Sequence, residues 1–251
     1  MLVNVLDRRA IIPGLVALAQ EKMLKGQHWG FIPARAGSKR FPEKNKALLG
    51  GVPLWKRSMN LCLPAFDRTI ISTDDDDIAK AADCDVVKRP VHLSDGMTYR
   101  IDDVLLDFVN NNDEIPEYIH LVQCTSPFTN NEHLNLGKWT IVDPNVDSVQ
   151  LVSVISNTQH AYSQRIIIED GTMKFFLLQE RNQFYNSQRK PAHYSFSGYV
   201  AIKTESLIKN DNIWGNNSIP IDGGSRCKVD IDKPSDLQYA EYLLRKDLTL
   251  H

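Results

Sequence analysis

A chain of 251 residues that is 42% hydrophobic, 24% charged and 8% aromatic has the composition of an ordinary globular protein, with material for one large domain or two small ones. Disorder, collagen and coiled coil are excluded. Lys plus Arg number 29 against 31 Asp plus Glu, a formal charge of -2, so no global field draws the chain to nucleic acid or membrane and any bound polyanion needs a local cluster. Cys62, Cys84, Cys124 and Cys227 lie far apart without a C-x-x-C pair, which predicts free thiols in a reducing cytoplasm rather than a disulfide frame or a zinc site.

The N-terminal stretch imitates an export signal, with Arg8-Arg9, an apolar run from Ala10 to Ala19 and the triplet Ala17-Leu18-Ala19. Asp7 and Pro13-Gly14 spoil the imitation, and no stretch reaches the ~18 apolar residues of a membrane span. Residues 1–28 read instead as an extension with a short amphipathic helix (Leu15, Leu18, Ala19, Lys22, Met23) that docks on the domain or a partner and ends at Gly26.

From Trp29 short apolar runs alternate with helical stretches, the signature of βαβ units and a largely parallel sheet. Residues 30–34 predict a first strand running into a loop rich in Gly, Pro and charge up to Lys46. Pro53 opens a helix that Pro64 closes, residues 69–73 read as a buried strand, and the run Asp74 to Asp77 caps the helix that follows. Val86-Val87, a helix around 104–108, a strand at 118–122 and a helix near 134–139 continue the alternation. After Asp147 the texture is β-rich: a strand at 149–155, then a hairpin over 164–178 about Asp170-Gly171. Residues 156–196 read as an insert that makes a satellite sheet or a subunit contact. Residues 198–202 return to the main sheet, 226–230 predict a late edge strand, and Pro234 opens a final helix. With no internal repeat or linker, 29–251 reads as one elaborated domain.

The most informative stretch is Ile32-Pro33-Ala34-Arg35-Ala36-Gly37-Ser38-Lys39-Arg40-Phe41-Pro42-Glu43-Lys44-Asn45, just beyond the first strand, where open α/β sheets bind ligands. Gly and Ser in such a crossing can turn backbone N–H groups toward one point, while Arg35, Lys39 and Lys44 supply three charges suited to a triphosphate. Neither G-x-x-x-x-G-K-[ST] nor G-x-G-x-x-G occurs, and a solvated basic loop would have the same composition. In Lys228-Val229-Asp230-Ile231-Asp232 the alternation points two carboxylates to one face, where they repel unless a cation lies between; Mg²⁺ suits one or two carboxylates with phosphate oxygens. The same pair would also serve as caps for the helix at Pro234. Gln123-Cys124-Thr125-Ser126-Pro127 ends another strand with an amide and two hydroxyls, and the histidines show no metal-ligand spacing.

Taken together, I-P-A-R-A-G-S-K with Lys44-Asn45, S-T-D at 72–74, Arg89-Pro90, Q-x-T-S-P at 123–127 and D-I-D at 230–232 resemble the acylneuraminate cytidylyltransferases, including legionaminic and pseudaminic acid relatives. The resemblance covers about residues 29 to 246, and Kdo cytidylyltransferases, which usually lack the S-K and K-N pairs, fit less well. It implies a three-layer α/β/α nucleotidyltransferase (Rossmann-like) fold with a mostly parallel sheet and a small β-rich dimerisation insert. It further implies transfer of CMP from CTP to a nine-carbon 2-keto sugar acid, with Mg²⁺ (or Mn²⁺) and a homodimer. Carried over by residue, Arg35, Ser38, Lys39 and Lys44 hold the triphosphate, Asn45 and Arg89 position the nucleotide, and Asp230 and Asp232 bind the metal, with Arg35, Lys44 and Asp232 at the catalytic centre. Gln123, Thr125, Ser126, Gln188 and Tyr194 face the sugar acid.

The departures concern the acceptor: Thr129 stands where relatives commonly carry Arg, and Ser187 and Ser197 replace an Arg and an Asn. Two rivals share part of the pattern. A sugar-phosphate nucleotidyltransferase would carry a more Gly-rich first loop, and a non-catalytic CTP-binding dimer would not need both Asp230 and Asp232.

Overall fold

The computed structural model describes residues 5–95 and 98–248. In chain order the elements are α1 (Val5–Lys22), β1 (Met23–Pro33), β2 (Leu48–Leu49), β3 (Val52–Pro53), α2 (Leu54–Cys62), β4 (Arg68–Thr73), α3 (Asp76–Ala81), β5 (Asp85–Lys88), α4 (Ile101–Asn111) and β6 (Ile115–Val122). There follow α5 (Asn131–Ile141), β7 (Ser148–Val154), β8 (Arg165–Ile167), β9 (Met173–Phe175), α6 (Leu178–Gln183), β10 (Tyr194–Lys203), α7 (Thr204–Asn210), β11 (Ser218–Asp222) and α8 (Pro234–Leu248). Among the described residues no helix is long and apolar enough to cross a membrane.

Seven strands form one sheet in the order β11-β7-β10-β6-β1-β4-β5, parallel except for β10, which runs antiparallel to both neighbours. Period-two alternation divides the strands between two cores. Ile32, Ile71, Val122, Tyr199 and Ala201 meet α2, α5 and α8; Phe31, Ile70, Leu121, Val200 and Ile202 meet α1, α4 and α7. Burying both faces gives the three-layer α/β/α arrangement.

Three expectations need correction. The first strand begins at Met23, so Gly26, expected to end the N-terminal helix, lies inside β1, and α1 passes through Pro13-Gly14 to Lys22. The amphipathic helix reading holds for Ala19, which is buried, but Leu18 is 61% exposed, and Met23, though buried, belongs to β1. Residues 226–230 are not a strand. Gly223-Gly224, with Gly224 at φ +66°, turns the chain away from the sheet, and Arg226–Lys228 forms a single 3-10 turn. The edge is β11, whose Pro220 is tolerated because an edge strand has one ladder to satisfy. Within 156–196, β8 and β9 form the expected antiparallel hairpin, with Gly171 at φ +81° and Asp170 accepting from Thr172 N at 2.8 Å.

Candidate active site

From β1 the chain moves to β4 and β5 on one side, then returns as β6 on the other side of β1. The loops leaving the carboxyl ends of β1 and β6 therefore diverge, and such a switch point is where open α/β sheets form a crevice. A cavity of about 310 Å³ opens there, lined by Pro33, Arg35, Lys44, Asn45, Arg89, Tyr99, Ile101, Gln123, Cys124, Thr125, Asp230 and Asp232.

The basic loop is held by its own backbone and by β4. Ala34 N donates to Ser72 O at 2.9 Å, Thr73 Oγ1 to Ala34 O at 2.6 Å, and Ala36 N to Asp74 Oδ1 at 2.7 Å. Asn45 Nδ2 closes the loop on Arg35 O at 2.9 Å, and Gly37 sits at φ +69°, where a side chain would be strained. The four-Asp run is thus divided: Asp74 braces the loop, while Asp75 caps α3 by accepting from Asp77 N at 2.9 Å and Ile78 N at 3.2 Å. Lys46 faces Glu43, Asp75 and Asp77, whose carboxylates raise its pKa.

Arg89, 3% exposed, donates to Ser72 Oγ at 3.3 Å, Ser72 O at 3.2 Å and Tyr99 OH at 3.4 Å. Burial lowers its pKa. The opposite wall is an extended segment anchored by buried Ile231, whose N–H donates to Thr125 O at 2.8 Å; its neighbours Asp230 and Asp232 consequently turn the same way, into the cavity. Asp230 presents surface to the cleft while protein crowds it from behind. That crowding raises its pKa, with repulsion from Asp232 adding to it and a hydrogen bond from Thr125 opposing. Asp232 is bonded to Lys44 Nζ at 2.8 Å and to Arg40 Nη2 at 2.9 Å, and Lys44 first of all holds its carboxyl below the usual range. The capping alternative fails, since it is Asp236 that accepts from Asp232 N at 3.0 Å and Lys233 N at 2.8 Å.

Two carboxylates form a hard-oxygen donor set suited to Mg²⁺ or Mn²⁺, and a cation beside them would relieve their repulsion. Among the described residues no group of three or more His, Cys, Asp or Glu could hold a metal, so water or phosphate would have to complete the coordination. The Cys124 thiol in the same wall is pushed up to about 12 by burial, which excludes a thiolate nucleophile at neutral pH.

The family model described as cytidylyltransferase matches residues 29–247. The chain belongs to the cytidylyltransferase family. Among relatives of this cytidylyltransferase, CMP-N,N'-diacetyllegionaminic acid synthase of Legionella pneumophila is 27% identical over 85% of this chain and 94% of its own length. Pseudaminic acid cytidylyltransferase of Campylobacter jejuni is 24% identical over 85% and 94%. N-acylneuraminate cytidylyltransferase of Streptococcus agalactiae is 22% identical over 82% of this chain but only 50% of its own length. In fold, the enzyme is similar to a CMP:2-keto-3-deoxy-manno-octonic acid synthetase complexed with CTP, at TM-score 0.65 and 14% identity, covering 88% of this chain and 100% of that one.

Not every expected residue reaches the cavity of the cytidylyltransferase. Ser38 and Lys39 stay on the loop outside its lining, and buried Ser126 lines a separate space of about 320 Å³ with Arg57 and Thr129. Gln188 lies on the exposed 3-10 turn Ser187–Arg189, and Tyr194 is 55% exposed at the start of β10. Ser197 points into the sheet, where its Oγ meets Ser153 Oγ at 2.9 Å. Two contributors went unseen in the sequence. Tyr99 has no sequence motif around it, and Arg40, though part of the basic loop, had no role assigned to it.

Proposed function

We propose that this cytidylyltransferase transfers CMP from CTP to the anomeric hydroxyl of a 2-keto-3-deoxy nine-carbon sugar acid of the sialic acid type, releasing pyrophosphate. It does so with Mg²⁺ or Mn²⁺, as a cytoplasmic homodimer. The observation that carries the reading is the meeting of Arg35, Lys44 and Arg89 with Asp230 and Asp232 around one cavity at the switch point. The acceptor class is supported by the relatives, whose names refer to legionaminic, pseudaminic and N-acylneuraminic acids.

In this mechanism the attacking hydroxyl approaches the α-phosphorus in line with the departing pyrophosphate, so positioning and charge neutralisation do most of the work. Arg35 and Lys44 flank the triphosphate, and Arg89 presents a fork already stripped of water. Asn45 keeps the loop closed on Arg35 O, while Gln123 and Thr125 offer an amide and a hydroxyl to the acid. Asp230 and Asp232 would hold the metal, which supplies charge neutralisation at the leaving phosphates. The dimer reading is supported by exposed Ile167, Met173, Phe176 and Tyr185 in the satellite, and the cytoplasmic one by four free cysteines.

The test is pyrophosphate release with CTP, Mg²⁺ and a panel of N-acetylneuraminate, legionaminate, pseudaminate and Kdo. Turnover with a nine-carbon acid is expected; turnover with Kdo alone, or with none, would overturn the assignment.

A further inference from the structure

Both oxygens of Asp232 are engaged, one by each of two cations from the basic loop: Oδ1 by Lys44 at 2.8 Å and Oδ2 by Arg40 at 2.9 Å. The three side chains differ in exposure, at 15% for Lys44, 30% for Asp232 and 71% for Arg40, so the contact runs from the cavity wall out to solvent. Carboxylate and phosphate oxygens accept from the same ammonium and guanidinium donors. A divalent ion and those donors in turn compete for the same carboxylate oxygens. Asp230, by contrast, has Thr125 as its hydrogen-bond partner.

Resting on the nucleotide reading above, we propose that Asp232 is an internal stand-in for the triphosphate, holding Lys44 and Arg40 until nucleotide displaces it and frees its oxygens for the divalent ion. Arg40 is then a positioning residue of the triphosphate site. The two halves of the exchange are thermodynamically linked: whatever draws Lys44 and Arg40 away strengthens cation binding at Asp232, and a cation on Asp232 strengthens nucleotide binding by the same factor. Without nucleotide an entering cation must displace two charge-assisted hydrogen bonds. Without a cation, CTP must displace a carboxylate.

The exchange reverses an ordinary expectation, because removing a metal ligand should improve metal-free nucleotide binding. CTP titrated in EDTA should bind Asp232→Asn about five- to tenfold more tightly than wild type, with a smaller gain for Asp230→Asn. Mn²⁺ alone, followed by electron paramagnetic resonance, should bind Arg40→Gln about two- to fivefold more tightly than wild type, as suits one largely exposed ion pair. Equal or weaker CTP binding by Asp232→Asn in EDTA overturns the exchange, and unchanged Mn²⁺ affinity in Arg40→Gln overturns Arg40's part in it. Should Asp232→Asn fail to fold in a thermal melt, the Mn²⁺ titration of Arg40→Gln decides. Wild-type CTP binding with Mg²⁺ is measured separately; its absence would refute the nucleotide reading, whereas its presence alongside either negative result refutes the exchange alone.

Discussion

Replacing Arg89 by Met separates what folding needs from what binding needs. The guanidinium is 3% exposed, and its donors meet one carbonyl and two hydroxyls at 3.2 to 3.4 Å. Burial, the leading cause, lowers its pKa, so the folded chain holds this charge less well than water does. Long bonds to neutral acceptors contribute about 1.5 kcal/mol each or less, against several kcal/mol for desolvating the ion. Met keeps the apolar stem but leaves Ser72 Oγ short of a donor, at about 1–3 kcal/mol, while Ser72 O keeps the Ala34 N–H. These nearly cancel, and the melting temperature should stay within about 4 °C of wild type. A lost charged contact to phosphate has no such offset. CTP affinity should fall by about 2–3 kcal/mol, roughly 30- to 150-fold, in a titration with Mg²⁺. A variant that melts more than about 8 °C lower and binds CTP normally would make Arg89 a structural strut and refute the reasoning.

Gly198 sits at φ +77°, and an added Cβ would fall 1.9 Å from Ser126 Oγ. Gly198→Ala should therefore cost about 2–4 kcal/mol and, because Gln123 N donates to Gly198 O, raise KM for the acid more than for CTP; wild-type melting would contradict this. Below pH 6.5 the buried chain in which His28 Nδ1 meets His120 Nε2 at 2.8 Å and His120 Nδ1 meets Tyr199 OH at 2.9 Å should weaken the fold. Burial lowers both histidine pKa values, so the unfolded chain binds protons that the folded one refuses. Stability is fully present above the unfolded value of 6.5 and falls by up to about 1.4 kcal/mol per pH unit per group as pH drops through the window beneath it. A urea midpoint that does not change between pH 7 and 5 would exclude this. Ile167→Lys, at a position 73% exposed, should convert the proposed dimer to monomer by light scattering with little change in melting; an unchanged mass would overturn the satellite as the dimer contact.

Legibility followed the range of the forces involved. Strands β1, β4 and β6 were readable because burial on both faces demands continuous apolar runs, and the basic loop because it is contiguous in the chain. The late edge strand failed for a physical reason. Val229 and Ile231 are buried in the core between more exposed neighbours, yet outside any strand ladder, and alternation reports burial, not hydrogen bonding. Lys44 and Asp232 are 188 positions apart, so their contact depended on the topology, as did the direction of β10 and the place of Tyr99. The extent of β1 was hidden because Gly26 looks like a stop signal but serves within a strand, its N–H donating to Glu117 Oε2 at 2.8 Å.

A nearly neutral protein that is to hold a polyanion must concentrate cations locally without destabilising its own fold. The site divides that demand. Arg89 is buried among neutral partners and offers a standing attraction, whereas Lys44 and Arg40 share the single carboxylate of Asp232 and offer a conditional one. The division predicts different responses to metal. Arg89→Met should weaken CTP binding by similar factors in EDTA and in Mg²⁺, because its partners do not change with the ion. Arg40→Gln should alter the ratio between the two conditions, because its carboxylate partner does. Parallel titrations in which Arg89→Met changes that ratio and Arg40→Gln leaves it alone would reverse the assignment of standing and conditional charge.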